Sequence, residues 1–416
     1  RPGPALLVIP DEMLAMKVDT GKLRITPSAN NRVLSLGAGD PAQIEEAAEL
    51  LANAKRPFIY AGKGALWAGA SQELVALGDY LAAGMGSSVG ARGVIPEDHP
   101  HYFHLFDMQT TALVRNEADV VLVVGARLGE YDGWGMPPAW GDPARQKTIQ
   151  IDADPLSIGV NRPVDLGIVA DARAALAALL QAVQSKVGPR ATMPDLMRYR
   201  EQSAAMLTRG MQFLQASSGH GVNPGQMVMV VNQFFPRNAV TVLDGGNTTL
   251  WGIAFNPILE PDSFLYSVKM GYLGTGLPFA IGAKLAAPER PVYCITGDGA
   301  LGFCIMEMET ALRAKAPVIV VVAVDDAWGM EKTAFNVAGF GPEQHSLVDF
   351  SPSVRYDVIA QGLACYGEKV DELDQLAPAL QRAVESGKPA LIHVTVDPEV
   401  NANPIGFQEF RYARTL

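Results

Sequence analysis

Cysteine is scarce in this sequence: three in 416 residues, Cys294, Cys304 and Cys365, odd in number and far apart. No CxxC pair occurs, which excludes a disulfide scaffold or a zinc module and leads us to expect reduced, buried thiols in a cytoplasmic protein. Long apolar runs are also missing. The longest, Pro317–Val324, falls far short of a bilayer and runs into two acids, so no membrane association is expected. The opening Arg1-Pro2-Gly3-Pro4 shows no signal-peptide pattern. Positive charge is in deficit, with 33 Lys and Arg against 44 Asp and Glu, a net charge of −11. With no local basic patch to offset it, that balance repels phosphate backbones and argues against nucleic acid as a partner. What remains is 48% hydrophobic and only 19% charged, a core-rich composition long enough for two or three domains.

Ala5–Pro10 is an apolar, strand-like run followed by a polar stretch, and reads as the close of a preceding domain. From Gly39 the pattern alternates. Helices are expected at Ile44–Lys55, Ser71–Leu81 and Ala170–Val183, and strands at Phe58–Tyr60, Ala118–Val124 and Lys147–Ile151. Residues 184–221 are polar, with helical segments and no strand. A second alternating run follows, with strands at Val240–Leu243, Val292–Thr296, Val318–Val324 and Ala390–Val396. Its helices are expected at Leu277–Ala287, Ile305–Ala314, Tyr356–Tyr366 and Glu372–Ser386. Short apolar strands between helices give an α/β class with two doubly wound parallel-sheet domains. The division expected is 1–35 (end of an N-terminal domain and linker), 36–185 (middle α/β domain), 186–221 (helical linker), 222–400 (second α/β domain) and 401–416 (tail).

The chemistry concentrates in 292–331. One strand runs into Gly297-Asp298-Gly299, and the next ends in Asp325-Asp326-Ala327-Trp328-Gly329. Ligands of open α/β sheets sit beyond the carboxyl ends of the strands, so adjacent strands deliver Asp298 and Asp325/Asp326 to one rim. Glycines let a backbone approach a ligand, and the following helix start offers free N–H groups to an anion. Carboxylates there would repel a phosphate unless a divalent cation lies between, and Mg2+ takes such mixed oxygen ligands. The residues alone thus point to a magnesium–diphosphate site.

With these residues in place, the chain resembles the thiamine-diphosphate enzymes typified by acetolactate synthase, benzoylformate decarboxylase and oxalyl-CoA decarboxylase. The likeness lies in GDG, about twenty-five residues, an acid pair and Trp-Gly. It extends to Met270–Ala283, Glu309-Thr310-Ala311, Pro317, Arg92–Pro100 (RGVIPEDHP), Gly125–Leu128 and Arg1–Pro10. The resemblance implies that Asp298, Asp325 and the Ala327 carbonyl hold Mg2+, with Asp326 as the alternative if the pair shifts by one residue. The family usually has an amide where Asp325 stands, and an extra charge there should tighten Mg2+ but weaken its partnership with diphosphate. Gly246, Asn247 and Thr248 fall where the diphosphate is held. Leu273 falls where the coenzyme is wedged into a V, and the Gly271 carbonyl where its amino group is held. Gly297, Gly299, Ala300, Trp328, Gly329 and Met330 complete the expected cofactor-binding set.

The resemblance further implies a lyase or carboligase acting on a 2-oxo acid, acetolactate-synthase-like. The alternatives are a 2-hydroxyacyl-CoA lyase or oxalyl-CoA decarboxylase type acting on an acyl substrate, and a non-catalytic coenzyme-binding partner or remnant. The activating glutamate belongs to an N-terminal pyrimidine domain, expected from the rest of the polypeptide or another subunit, so no catalytic residue is assigned within these residues. A homodimer or homotetramer is implied. FAD in the middle domain is an option but not an expectation: Gly125-Ala126-Arg127 suits it, whereas the following Leu128–Trp134 departs from the flavin pattern. Plain structural roles are expected for Gly62-Lys63-Gly64 (a strand-end turn), Cys304 (a buried thiol), and Phe303, Met306 and Met308 (helix packing). His99, His101 and His104 cluster without acid partners in the sequence, and His345, Glu331 and Lys332 lie where the family has a lid.

Overall fold

The protein is described by a computed structural model covering residues 5–31, 36–104, 107–192, 194–267 and 271–400. Two parallel sheets organise it. The first contains β1 (Pro57–Ala61), β2 (Gly84–Ser87), β3 (Val120–Val124), β4 (Lys147–Asp152) and β5 (Leu166–Val169), in the order β2-β1-β3-β4-β5. The second contains β6 (Val240–Leu243), β7 (Phe264–Leu265), β8 (Val292–Gly297), β9 (Ile319–Val324), β10 (Tyr366–Val370) and β11 (Ala390–Thr395), in the order β10-β11-β9-β8-β6-β7. Every strand pair in both sheets is parallel.

Each sheet is covered on both faces, and the central strands show why. Along β3, Leu122 and Val124 join the core beneath helices Pro41–Asn53, Ser71–Leu81 and Ala172–Lys186, while Val121 and Val123 point into the opposite core with Trp140 and Tyr199. Along β9, Val321 packs towards helices Pro224–Phe234 and Leu373–Glu385, and Val320 and Val322 towards Gly276–Ala286 and Glu307–Arg313. A strand buried on both faces must be apolar at every position, and that is what Val-Val-Leu-Val-Val and Ile-Val-Val-Val-Ala-Val are. Helix starts are set locally. Asp40 and Asp171 accept N–H groups of Ala42 and Ala174 at 2.9 Å, and Pro41 occupies the first turn.

Strand order switches between β1 and β3 in the first sheet and between β6 and β8 in the second, and the crevices for ligands open there. At the first, Gly62-Lys63-Gly64 is a strand-end turn in which the Gly62 N–H donates to the Val124 carbonyl at 2.8 Å. A Cβ on Gly62 would lie 2.3 Å from the Gly125 carbonyl oxygen, so the two loops can meet only as glycines.

Some local expectations are corrected. Ala5–Pro10 is not a strand: it has no ladder partner among the described residues, and Leu6, Leu7 and Val8 are 91%, 80% and 77% exposed. An apolar run becomes a strand only when a neighbour takes its hydrogen bonds. The helix expected over Tyr356–Tyr366 ends at Gly362, and after a left-handed Ala364 (φ 60°) the chain enters β10. Arg1–Pro4 and Met270, which carry part of the resemblance, lie outside the described residues.

Leu122 is fully buried at the middle of the first sheet. Leu122→Ala is expected to cost about 2–5 kcal/mol, measured as a lower urea midpoint with an unchanged slope; a shift near zero would contradict this packing.

Candidate active site

The carboxyl ends of β6, β8 and β9 converge at the second switch point. β6 ends in Asp244-Gly245-Gly246 and leads into helix Asn247–Phe255, while β8 ends in Gly297-Asp298. Close approaches show how tightly these loops nest. A Cβ on Gly245 would lie 3.2 Å from the Gly297 nitrogen, one on Gly297 3.1 Å from Thr248 Oγ1, and one on Gly246 3.0 Å from Met330 Cβ. One on Gly329 would meet Asp325 Oδ2 at 2.4 Å and Asn247 Nδ2 at 3.1 Å, and one on Gly299 the Trp328 ring at 2.7 Å. Gly246, Asn247, Thr248, Gly297, Asp298, Gly299, Ala300, Asp325, Ala327, Trp328, Gly329 and Met330 therefore share one rim, as their spacing suggests.

Asp298 is almost completely buried. Its Oδ1 accepts the Gly299 N–H at 2.8 Å and its Oδ2 the Asp326 N–H at 2.9 Å, which ties the β8 loop to the β9 loop. Burial, then the charge of Asp325, pushes its pKa well above the carboxylate range. Burial raises Asp325 too, against a hydrogen bond from the Ala327 backbone and the charge of Lys332. The charge of Asp325 acts on Asp298 more strongly than that of Asp326 does. Asp326 adopts a left-handed backbone (φ 54°), and its carbonyl accepts the Phe350 N–H at 2.6 Å. The Trp328 N–H donates to Val348 (2.7 Å) and Lys332 pairs with Asp349 (2.8 Å), so segment 345–350 braces the acidic loop.

The site fits a divalent cation with a diphosphate. Buried Asp298 and half-buried Asp325 repel each other with no cation between them among the described side chains, and such a pair is stable only when protonated or countered by a cation. Beside them helix Asn247–Phe255 starts at Gly246 with no side-chain cap, leaving its first N–H groups to an anion. Thr249 Oγ1 and Thr275 Oγ1 are buried without a hydrogen-bond partner among the described residues.

The wedge turn is less closely joined to this rim. Gly271 has a positive φ of 61°, and a Cβ there would touch nothing within 4 Å; Leu273 is half-buried. Gly274 does reach the rim, since a Cβ on it would lie 2.5 Å from Phe303 Cβ. Two residues escaped the sequence reading. Asp244, 1% exposed, accepts the N–H groups of Gly245 (2.8 Å) and Gly276 (2.7 Å) and so holds the start of helix Gly276–Ala286 beneath the turn. The signal was present, because Asp244 precedes Gly-Gly at a strand end much as Asp298 precedes Gly. Tyr356, on its own helix, is within the field of Asp298, Asp325 and Asp326, and burial followed by those charges raises its phenol pKa. No spacing rule links it to them.

Of the histidines, His104 Nε2 lies 3.2 Å from Glu97 Oε2, while His99 Nε2 and His101 Nδ1 lie 3.2 and 3.7 Å from Asp79 Oδ1. An acid partner missed in the sequence is thus present. The His101 N–H donates to His99 Nδ1 at 3.1 Å, which places the His99 proton on Nε2, facing Asp79: a hydrogen bond rather than a lone pair offered to a metal. Phe303 and Met306, expected to pack, are 66% and 63% exposed beside this site, whereas Met308 is buried. Cys304 is buried, and its thiol pKa is pushed up to about 11, an inert thiol.

Comparison with known proteins gives two family matches: thiamine pyrophosphate enzyme, central domain, over residues 44–179, and thiamine pyrophosphate enzyme, C-terminal TPP binding domain, over residues 244–394. The chain is similar to a probable acetolactate synthase large subunit of Methanocaldococcus jannaschii, 28% identical over 414 residues, covering 96% of this chain and 67% of that protein. An acetolactate synthase large subunit of Mycobacterium tuberculosis is 31% identical over 368 residues, covering 87% and 63%. A 2-hydroxyacyl-CoA lyase of Oryza sativa is 27% identical over 423 residues, covering 97% and 71%. The chain thus spans about two thirds of the length of these relatives.

The raised acids set a pH dependence. Between about pH 5 and 8 the unfolded chain has released protons that the metal-free fold retains, so stability falls as pH rises. Asp325→Asn should remove roughly 1 kcal/mol or more of that fall, measured by urea unfolding in chelator across this range. Parallel wild-type and variant curves would refute the repulsion.

Proposed function

We propose that this chain, which belongs to the thiamine pyrophosphate enzymes, forms the middle and diphosphate-binding part of a lyase or carboligase acting on 2-oxo acids, acetolactate-synthase-like in reaction type. The observation that carries the reading is the electrostatically coupled pair of buried Asp298 and half-buried Asp325 beside an uncapped helix start, inside the segment matching the C-terminal TPP binding domain. Asp298, Asp325 and the Ala327 carbonyl would hold Mg2+. The first turn of helix Asn247–Phe255, with Gly246, Asn247 and Thr248, would receive the diphosphate, and Gly271 and Leu273 the rest of the coenzyme.

Bound there, thiamine diphosphate supplies an electron sink for cleaving the bond beside a carbonyl. The protein's share is binding and exclusion. The acids neutralise the cation, the helix start pairs with the anion, and Trp328 with Phe303 and Phe350 (ring centroids 5.8 and 5.2 Å away) shields one side of the loop from water. Proton transfer to the coenzyme is assigned to a pyrimidine domain from the rest of the polypeptide or another subunit, within a homodimer or homotetramer. In this reading residues 36–185 are the middle domain and 222–400 the diphosphate-binding domain, joined by 186–221.

No helix of the described residues is long and apolar enough to cross a membrane, and all three cysteines are free and buried, which supports a reducing, cytoplasmic setting. The name of the rice relative favours a second reading, a lyase of 2-hydroxyacyl-CoA substrates.

Supplied with a pyrimidine domain, the wild-type chain should take up thiamine diphosphate with Mg2+ in a calorimeter and release CO2 from pyruvate. Asp298→Ala and Asp325→Ala should each weaken uptake by about a hundredfold or more, as expected when one partner of a buried charged site is removed. Turnover of a 2-hydroxyacyl-CoA without pyruvate loss would select the second reading. Coenzyme uptake with neither reaction would indicate a binding partner without catalysis, and undiminished uptake by both variants would reject the site.

A further inference from the structure

We propose that Arg92–Pro100, a segment with no part in the chemistry above, is a positioning device: its buried Arg92–Glu97 pair holds the C-terminal end of helix Asn247–Phe255 and so fixes the helix start at the site. Arg92 and Glu97 side chains are 0% and 1% exposed. Arg92 Nε and Nη2 donate to the two Glu97 carboxylate oxygens at 2.7 Å each, a bidentate pair that holds Glu97 well below the usual carboxylate range despite its burial.

The pair sits beside the first sheet, where Tyr102 (3.4 Å) and His104 (3.2 Å) also bond Glu97, and its other hydrogen bonds reach the second. Arg92 Nη2 also donates to the Asn256 carbonyl at 2.9 Å, and Asn256 is the residue that ends helix Asn247–Phe255. Glu97 Oε2 accepts the Ile258 N–H at 2.9 Å, and the Glu97 N–H returns to the Ile258 carbonyl at 3.1 Å. The Arg92 guanidinium lies over the Phe264 ring, 4.9 Å from its centre. Gly93 is required for this approach: it has φ 84°, and a Cβ would lie 2.3 Å from the Glu260 carbonyl oxygen. Asn256, fully buried, carries the contact into the second sheet, donating to Thr241 Oγ1 on β6 (3.2 Å) and accepting from the Tyr293 hydroxyl on β8 (2.9 Å). β6 and β8 are the strands whose carboxyl ends carry Asp244 and Asp298.

Helix Asn247–Phe255 has nine residues and spans about 14 Å. Fixing its far end therefore fixes where Gly246 and the first free N–H groups stand. A buried charge pair is a demanding way to join two domains, because each member is costly to bury without the other. It also gives the contact a single geometry, which an apolar seam would not. The effect on the helix is independent of the ligand; the effect on diphosphate affinity rests on the function proposed above.

The test uses the 416-residue chain with Arg92→Lys and Glu97→Gln, which keep volume but break the bidentate pair. Arg237→Ala is the control, since it removes only exposed contacts at the same domain boundary: those to Asp98 (2.6 Å), the Leu259 carbonyl (3.2 Å) and Glu260 (3.8 Å). Hydrogen exchange should speed up by about tenfold or more at residues 247–256 in the Arg92 and Glu97 variants, and Mg2+–pyrophosphate affinity should fall by a similar factor. Arg237→Ala should change neither. If Glu97→Gln unfolds, Arg92→Lys decides. Exchange that stays at the wild-type rate, or rises equally across both sheets, or rises equally in Arg237→Ala, overturns the proposal. Faster exchange confined to the helix, in a wild-type chain that takes up no pyrophosphate, upholds the positioning role and rejects the diphosphate reading instead.

Discussion

Two carboxylates that repel each other across neighbouring loops, Asp298 buried and Asp325 half-buried, govern much of this structure. Asp298 and Asp325 end neighbouring parallel strands, and the Asp326 N–H donated to Asp298 prevents the loops from moving apart. Among the described residues neither acid has a basic side chain as close partner; Lys332, the cation acting on Asp325, is committed to Asp349. The fold therefore carries a local electrostatic cost that a proton or a bound cation relieves. Sites that break local rules of stability in this way are where function concentrates.

The rest of the second sheet serves to keep that pair in place. The β6–β8 reversal opens the crevice, glycines at 299 and 329 sit where a Cβ would clash and those at 245, 246 and 297 where one would be crowded, and Asp244 anchors the neighbouring turn. Segment 345–350 braces the β9 loop from outside through backbone bonds to Asp326 and Trp328. The first sheet contributes through the Arg92–Glu97 pair, whose hydrogen bonds cross to Asn256 and Ile258. Middle and second domains are thus joined by a specific polar contact that ends on the helix lining the crevice.

What could be read from the sequence follows from how each element is stabilised. β3 and β9 are apolar throughout because both faces are buried, so their pattern alone identified them. β2 (Gly-Met-Gly-Ser) and β7, only two residues long, have no such pattern, and β10 is an edge strand with mostly half-buried residues, so its Tyr-Gly-Glu-Lys-Val could pass for a helix end. Ala5–Pro10 erred in the opposite sense: apolar enough for a strand, it lacks a neighbour among the described residues. The rim from Gly297 to Ala300 and from Asp325 to Met330 was legible because glycine and acid at strand ends have few other uses. Asp244 was legible on the same ground but overlooked. Tyr356, Asp79 and the Arg92–Asn256 contact depend on packing between distant elements, which local spacing does not encode.

The central claim is that Asp298 and Asp325 form a cation site before any organic ligand arrives. Titration of the metal-stripped chain with Mn2+, followed by the loss of the free-ion paramagnetic resonance signal, tests it without coenzyme or turnover. The account expects one ion per chain, bound more tightly as pH rises and the acids lose their protons, and released on Asp298→Asn. Binding that is indifferent to pH and unaffected by Asp298→Asn, or no binding above pH 8, would contradict it.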